Sequence, residues 1–162
     1  MNTAIRLMAD GLMLPIVIGS LYLIFTRVKN SQRYEKYCHI ALAGITAYAG
    51  AKIIGLFFQP ETHRPFEQLG QQAGAAYLNN PGFPSDHVLF ATFLVLAVWY
   101  VTKSPRATLI LAGMAVFMAV GRVLALVHTP LDVIGGFAIA VIGIVWYGRS
   151  FFAKPIAKIS KT

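Results

Sequence analysis

Residues Ala107–Phe152 read ATLILAGMAVFMAVGRVLALVHTPLDVIGGFAIAVIGIVWYGRSFF. Two almost wholly apolar runs, separated by a short polar turn at His128, make up this stretch. A helix needs about 20 mostly apolar residues to cross the hydrocarbon core of a bilayer. We therefore predict two membrane spans here, Ala107–Val127 and Leu131–Phe152, and assign the chain to the all-α integral membrane proteins.

Three further apolar segments lie upstream and complete a predicted bundle of about five transmembrane helices. They are Gly11–Thr26, Cys38–Phe58 and Asp86–Thr102. The composition agrees, because 57% of the 162 residues are apolar and 12% are charged, against about 45–50% and about 25% in soluble domains. The length suits one domain, residues 1–162, and the single cysteine excludes an internal disulfide.

The N-terminal segment also has some features of a secretory signal peptide, since Arg6 precedes the apolar stretch Leu12–Phe25. No small-residue cleavage site follows, because Thr26–Lys29 reads TRVK. The pattern favours a retained first membrane helix, with Met1–Asp10 either extending it or lying along the interface.

The positive charges are divided unevenly between the two sides that five spans create. One side has Glu35 as its only acid and holds ten of the 14 Lys and Arg residues: Arg27, Lys29, Arg33, Lys36, Lys103, Arg106, Arg149, Lys154, Lys158 and Lys161. Cytoplasmic loops retain Lys and Arg, so we predict a cytoplasmic C-terminus, with the N-terminus outside. The same retention explains the net charge of +8 without a nucleic-acid partner.

The longest polar stretch, Gln59–Pro84, falls on the outer side of the membrane in this arrangement. It contains four prolines, four glutamines and two asparagines. Loops of this length in compact proteins tend to be functional or disordered, and the pattern leaves open whether this one forms an ordered lid.

A polar group at the start of the last span combines Arg122, His128 and Asp132. Thr129 and Pro130 are typical of the N-cap and first position of a helix, which brings Asp132 within reach of His128. A carboxylate beside one imidazole nitrogen fixes the tautomer and leaves the other nitrogen free to attack. Arg122 can offer a forked donor to phosphate. The alternative is a helix cap with an interfacial histidine, but the three residues together favour a catalytic group.

A second group, Ser85, Asp86 and His87, opens the third predicted span within the sequence GFPSDH. Ser85 is typical of an N-cap, so free backbone N–H groups would form an anion site there. His87 in the first turn would be placed to protonate a leaving oxygen. Plain capping with an interfacial histidine remains the alternative.

Arg64 and Lys52 are two further cations on the outer side. Arg64 lies in the outer loop, where an arginine is either solvated or functional. Lys52 lies about two turns below the outer end of its helix, so that it either snorkels outward or reaches a substrate phosphate. Glu61, His63 and Glu67 follow no metal-ligand spacing, so we expect no metal.

Arg122, His128 and Asp132, preceded by Pro84-Ser85-Asp86-His87 and by Arg64-Pro65, closely resemble the motifs of the type 2 phosphatidic acid phosphatase family. That family shows Lys, six residues, Arg-Pro; then Pro-Ser-Gly-His; then Ser-Arg, five residues, His, three residues, Asp. The resemblance covers residues 52–132, and the spacing of the third motif is matched throughout.

The resemblance implies a phosphohydrolase that needs no metal or other cofactor and forms a phosphohistidine intermediate. By position in the motifs, His128 would be the nucleophile, Asp132 its orienting partner and His87 the acid for the leaving group. Arg64, Arg122 and Ser85 would bind phosphate.

Three positions depart from the family motifs. Gly121 stands in place of the serine before Arg122, which removes one hydrogen bond to phosphate. Asp86 replaces a glycine, as in a bacterial subgroup resembling undecaprenyl-diphosphate phosphatases, and an acid there could orient Arg64 or disfavour some anions. Phe57 occupies the place of the first-motif lysine, and Lys52 is the only lysine nearby that could serve instead.

Taken with the resemblance, the expected function is hydrolysis of a polyprenyl or glycerolipid phosphate at the outer face of a bacterial inner membrane, with undecaprenyl diphosphate the favoured substrate. Phosphatidylglycerophosphate, phosphatidic acid and lipid A are alternative substrates, and a phosphotransferase could use the same phosphohistidine. A non-enzymatic protein that binds or transports lipid phosphates is the alternative of another class. The expected partners are the lipid substrate and membrane lipids.

Overall fold

A computed structural model describes residues 3–61, 63–80 and 82–152. Every regular element in this part of the chain is helical, which confirms the predicted all-α class. The helices are α1 (Thr3–Arg6), α2 (Met13–Arg27), α3 (Arg33–Phe57), α4 (Pro65–Gln68), α5 (Asp86–Thr102), α6 (Pro105–Leu124) and α7 (Pro130–Ala140). A π-helical turn, Leu7–Gly11, joins α1 to α2, and a 3₁₀ turn, Asn30–Gln32, precedes α3. The 3₁₀ segment Val141–Phe151 continues α7.

Four helical stretches in the described residues are long and apolar enough to cross a membrane. They are Thr3–Arg27, Asn30–Phe57, Pro105–Leu124 and Pro130–Gly148. Helix α5 is also apolar but has 17 residues. The structure therefore supports a membrane protein with four candidate spans, and a fifth span at α5 stays a prediction.

Helix α5 lies at the centre of the bundle and packs against α2, α3, α6 and α7. Val88, Ala91 and Val98 of α5 are fully buried, and they meet Ile16 of α2 and Met118 of α6 in the main apolar core. A helix that is apolar on all sides suits a position enclosed by other helices. Helix α5 thus occupies the enclosed position, although it is shorter than each of the four candidate spans.

The first span takes one of its two predicted forms, whereas the last span differs from the predicted continuous helix. Residues Thr3–Gly11 extend the first span as α1 and the π turn, so the N-terminal segment does not lie apart from it. The last span leaves α-helical geometry after Ala140, and Gly148 has a positive φ of 54°. Gly143 in this segment packs so closely on α3 that a Cβ there would lie 2.7 Å from the carbonyl oxygen of Ala43.

One end of the bundle gathers the π turn, the last turns of α3 and α6, the first turns of α5 and α7, and the loop 59–84; we call it the polar end. Backbone hydrogen bonds tie the loop to the turn after α6: Phe66 N–H donates to Leu126 O and Gly74 N–H to Ala125 O. The opposite end carries the basic residues, such as Lys103, which donates to Phe151 O. Lys154, Lys158 and Lys161 of the predicted cytoplasmic set lie outside the described residues.

Candidate active site

His128 and Asp132 meet at the start of α7, where the chain turns after α6. Thr129 is the N-cap and Pro130 the first helical residue, as predicted. Thr129 Oγ1 accepts from Asp132 N–H at 3.2 Å, and Asp132 Oδ2 accepts from Thr129 N–H at 2.8 Å. This reciprocal capping box fixes the carboxylate of Asp132 against the turn.

The same carboxylate faces the imidazole of His128. Asp132 Oδ2 lies 3.4 Å from His128 Nδ1, close enough for an ion pair but without hydrogen-bond geometry, so that the buried Nδ1 has no hydrogen-bond partner. Burial lowers the pKa of His128, and Arg122 and Arg64 act in the same direction while Asp132 opposes them. A lowered pKa keeps the imidazole neutral at neutral pH, which is the form that can attack.

Arg122, in the last turn of α6, is the largest of the fully buried side chains, with 1% of its surface exposed. Its Nη1 donates to Asp10 Oδ1 at 2.8 Å, whereas its buried Nε has no partner. A buried guanidinium with an unused N–H group is able to bind a further anion. Arg122 lines the same cavity as His128.

His87, at the start of α5, lines this cavity, and Ser85 lies two residues before it in the chain. Ser85 occupies the N-cap position, but its side chain makes no capping hydrogen bond and the buried Oγ has no partner. Its peptide N–H donates to Asp132 O at 3.0 Å, which joins the start of α5 to the start of α7. The imidazole of His87 is partly buried and lines the cavity. The predicted N-cap position of Ser85 is confirmed, and its role in binding an anion stays a prediction.

Arg64, from the loop 59–84, lines the same cavity, but its guanidinium is already hydrogen-bonded to other groups of the protein. Its guanidinium donates to the backbone carbonyls of Val127, Leu78 and Asn80, and to Asn80 Oδ1 at 3.0 Å. It also lies 5.4 Å from the ring centroid of Tyr77. In this conformation Arg64 links the loop to the residue before His128.

Lys52 and Asp86 form an ion pair at the polar end, with Nζ 2.9 Å from Oδ1 and 3.0 Å from Oδ2. Lys52 Nζ also lies 4.9 Å from the ring centroid of Tyr48. Asp86, which replaces the motif glycine, thus pairs with Lys52, the lysine that could serve in the first motif, rather than with Arg64.

A polar cavity lies where these segments converge, and its volume is about 20 Å³, room for about one water molecule. Its lining side chains include Arg64, Asp86, His87, Arg122 and His128. An open apolar cleft of about 500 Å³ adjoins it between α3 and α5 and shares Leu78 and Asp86 with it. The site therefore has a charged part and an apolar part with a common border.

Asp10 also belongs to this site, although no sequence motif marks it as a site residue. Its Oδ1 accepts from Arg122 and its Oδ2 accepts from Ala76 N–H at 2.9 Å. Asn80 is a second residue that the motifs do not mark, and it holds Arg64.

The described residues contain no group of three or more His, Cys, Asp or Glu side chains arranged to hold a metal ion. The polar residues brought together are instead two imidazoles, two guanidiniums, a hydroxyl and carboxylates. Such a set can bind a phosphate, attack it with one imidazole and protonate a leaving oxygen with the other.

Comparison with protein families shows that the model of the PAP2 superfamily matches residues 36–155. Comparisons with curated proteins and with solved structures returned no match. The matched range includes Lys52, the loop 59–84 and all of α5, α6 and α7, and it begins after Asp10.

Proposed function

The chain belongs to the PAP2 superfamily, and from this membership and the geometry of the site we propose that it hydrolyses a lipid diphosphate through a phosphohistidine intermediate on His128. Membership indicates a phosphatase that acts on lipid phosphates. The observation that carries the proposal is the convergence of His128, His87 and Arg122 on one polar cavity that borders an apolar cleft.

The chemical step begins with the neutral imidazole of His128. Because Nδ1 faces Asp132, the attacking atom is Nε2, which forms a bond to phosphorus as the bond to the leaving oxygen breaks. Asp132 stabilises the positive charge that His128 gains. His87 donates a proton to the leaving oxygen.

The second step returns the enzyme to its starting state. Water attacks the phosphohistidine, the P–N bond breaks, and inorganic phosphate leaves. His87, now neutral, accepts the proton of the attacking water and is ready for the next cycle. No oxidant, reductant or further reactant is required.

Arg122 and Ser85 are the proposed phosphate ligands. Both are buried, and each has a polar atom without a partner: Nε of Arg122 and Oγ of Ser85. Unsatisfied buried polar groups are costly, typically about 1–3 kcal/mol each, and they become satisfied when a phosphate oxygen binds. Arg64 joins them by exchanging its loop carbonyl partners for phosphate oxygens.

The apolar cleft between α3 and α5 supports a lipid as the substrate. Ile45, Leu89, Phe90 and Phe93 line it, and it opens on the surface that would face lipid. A tail in this cleft places the head group at Leu78 and Asp86, on the border of the polar cavity.

A polyprenyl diphosphate such as undecaprenyl diphosphate is the proposed substrate, on the basis of Asp86 at the motif position that is usually glycine. Phosphatidylglycerophosphate, phosphatidic acid and lipid A are the alternatives. The positive-inside distribution of charges supports an active site on the outer face of a bacterial inner membrane.

Phosphate release from a panel of lipids tests this function. We expect the purified chain in detergent with EDTA to release phosphate fastest from undecaprenyl diphosphate, and His128→Ala to release none above background. Release abolished by EDTA and restored by added metal would disprove the metal-independent mechanism. If the wild type releases phosphate from no lipid, binding or transport of lipid phosphates becomes the better explanation.

A further inference from the structure

Asp10 lies in the π turn Leu7–Gly11, before the range matched by the family, and it makes two contacts with the site. One carboxylate oxygen accepts from Arg122 Nη1 at 2.8 Å, and the other accepts from the backbone N–H of Ala76 in the outer loop at 2.9 Å. The carboxylate of Asp10 therefore connects Arg122, the proposed phosphate ligand, to the outer loop.

Gly121 makes the approach of this turn possible. A Cβ at position 121 would lie 2.7 Å from Ala9 N and 2.8 Å from Met8 C, and both are backbone atoms that cannot move aside cheaply. The family motif has a serine at this position, which the present packing does not accommodate. The N-terminal turn can thus approach α6 because glycine, rather than serine, stands at position 121.

The turn is also held in place by apolar packing that is independent of the ion pair. Ala9 is fully buried and belongs to a small core with Phe66, Ala75, Ala125 and Val127. These residues come from the outer loop and from the chain that leads to His128. π-helical turns inside α-helices often occur at functional sites.

We propose that Asp10 is a positioning residue, which holds Arg122 at Nη1 so that its unpaired Nε points to the phosphate of the substrate, and that Gly121 is needed for this contact. The inference rests on the proposed phosphatase function for its catalytic meaning. The positioning of Arg122 itself affects how tightly the site binds a tetrahedral or bipyramidal oxyanion, and this affinity can be measured without turnover.

The first test combines kinetics with the binding of orthovanadate to the full chain in detergent. Asp10→Asn keeps the size of the side chain and removes its charge. We expect kcat and kcat/KM to fall by about 10²-fold with KM little changed, because a misplaced group weakens the transition state. The dissociation constant for vanadate, obtained from its effect on thermal unfolding, should rise at least about tenfold.

Asp10→Glu should recover part of both losses because it restores the charge. Glu61→Gln is the matched control, since Glu61 is an exposed carboxylate of the outer loop, and it should leave both quantities unchanged. A purely structural role predicts a lower unfolding temperature for Asp10→Asn with unchanged kcat and vanadate affinity per folded molecule. That result would overturn the proposal.

Gly121→Ser tests the second half of the proposal. Displacing the turn should reduce kcat and vanadate affinity as much as Asp10→Asn does, and the double variant should be no worse than the poorer single variant, since both remove one contact. Wild-type behaviour of Gly121→Ser would overturn the role of Gly121, because it would mean that the serine is accommodated.

The two proposals fail in different ways. A wild type that hydrolyses no lipid phosphate but binds vanadate in an Asp10-dependent manner disproves the proposed function and leaves the positioning of Arg122 intact. A wild type that hydrolyses lipid phosphates but binds no vanadate overturns the positioning of Arg122 and leaves the function.

Discussion

Lys52 Nζ contacts both carboxylate oxygens of Asp86, at 2.9 and 3.0 Å, across the border between α3 and α5. The family motifs place a lysine five residues later than Lys52 and a glycine where Asp86 stands. A carboxylate beside a phosphate site repels the substrate unless a cation balances it. The pair therefore gives a physical reason why the two departures occur together in this chain.

Lys52→Gln should weaken substrate binding, because it leaves the charge of Asp86 uncompensated at the cavity. We expect KM to rise several-fold and kcat to change little, and the double variant Lys52→Gln/Asp86→Asn to regain most of the loss. The coupling should be about 0.5–1 kcal/mol, since the pair is partly solvated. Lys29→Gln, an exposed lysine at the opposite end, is the control. Additive effects of the two substitutions would show that the pair has no role in binding.

Asp132→Asn should separate the capping role of this residue from its catalytic role. The amide oxygen can still accept from Thr129 N–H, so the unfolding temperature should change little. The charge that stabilises protonated His128 is lost, and kcat should fall by about 10²–10⁴-fold. Asp132→Ala should also lose the acceptor for Thr129 N–H, which is one half of the capping box, at a cost of about 1–3 kcal/mol. A variant Asp132→Asn with wild-type kcat would remove Asp132 from the mechanism.

The pH dependence of kcat/KM should reflect the lowered pKa of the buried His128. Burial lowers its pKa, so the neutral, attacking form persists at pH values below the ordinary pKa of about 6.5. The acid limb of kcat/KM should therefore lie below pH 6.5, with activity lost as pH falls through the lowered pKa. Asp132→Asn should move this limb further down, since Asp132 raises the pKa. An acid limb centred above pH 7 would contradict the assignment.

Two glycines should respond in opposite ways to the same substitution. Gly143→Ala brings a Cβ to 2.7 Å from the carbonyl oxygen of Ala43, whereas a Cβ at Gly113 of α6 meets nothing within 4 Å. We expect Gly143→Ala to cost about 1–3 kcal/mol through overpacking. Gly113→Ala should stabilise by about 0.5–1 kcal/mol through its better helix propensity. Thermal unfolding in one detergent measures both, and equal shifts would show that the last span does not pack on α3 as described.

Cysteine labelling checks the sidedness. In a Cys38→Ala background, Gln72→Cys in the exposed loop at the polar end should react with an impermeant maleimide in intact cells. Ser31→Cys, exposed at the opposite end, should react only after the cells are opened. The reverse pattern would place the active site in the cytoplasm.

Local features of the chain could be predicted because their causes are local. Thr129, Pro130 and Asp132 lie within four residues, and their capping chemistry depends on that spacing alone. Apolar length likewise predicts the long spans. The motifs also indicate which distant residues lie close together, since His128, Arg122 and His87 line one cavity, while the roles of these residues stay predictions.

Contacts between distant segments could not be predicted in the same way. Asp10 and Arg122 are 112 positions apart, and a single aspartate near the N-terminus carries no pattern. The hydrogen bonds from Arg64 to backbone carbonyls depend on how the loop 59–84 folds back, and the composition of the loop does not determine that path. The 3₁₀ segment after Ala140 contains Gly143, which packs closely on α3, and such a tertiary contact is not encoded in helix propensity.

The hydrogen bonds from Arg64 to Val127, Leu78 and Asn80 have a consequence for selectivity. A phosphate group is larger than the single water that the cavity admits, so it must displace these bonds to enter. The tail of a lipid substrate is already held in the bilayer beside the cleft, which keeps the head group at the cavity and raises its local concentration there, and this offsets part of that cost. A soluble phosphate ester meets the same resistance without this compensation, and the enzyme should thereby spare the water-soluble phosphates around it.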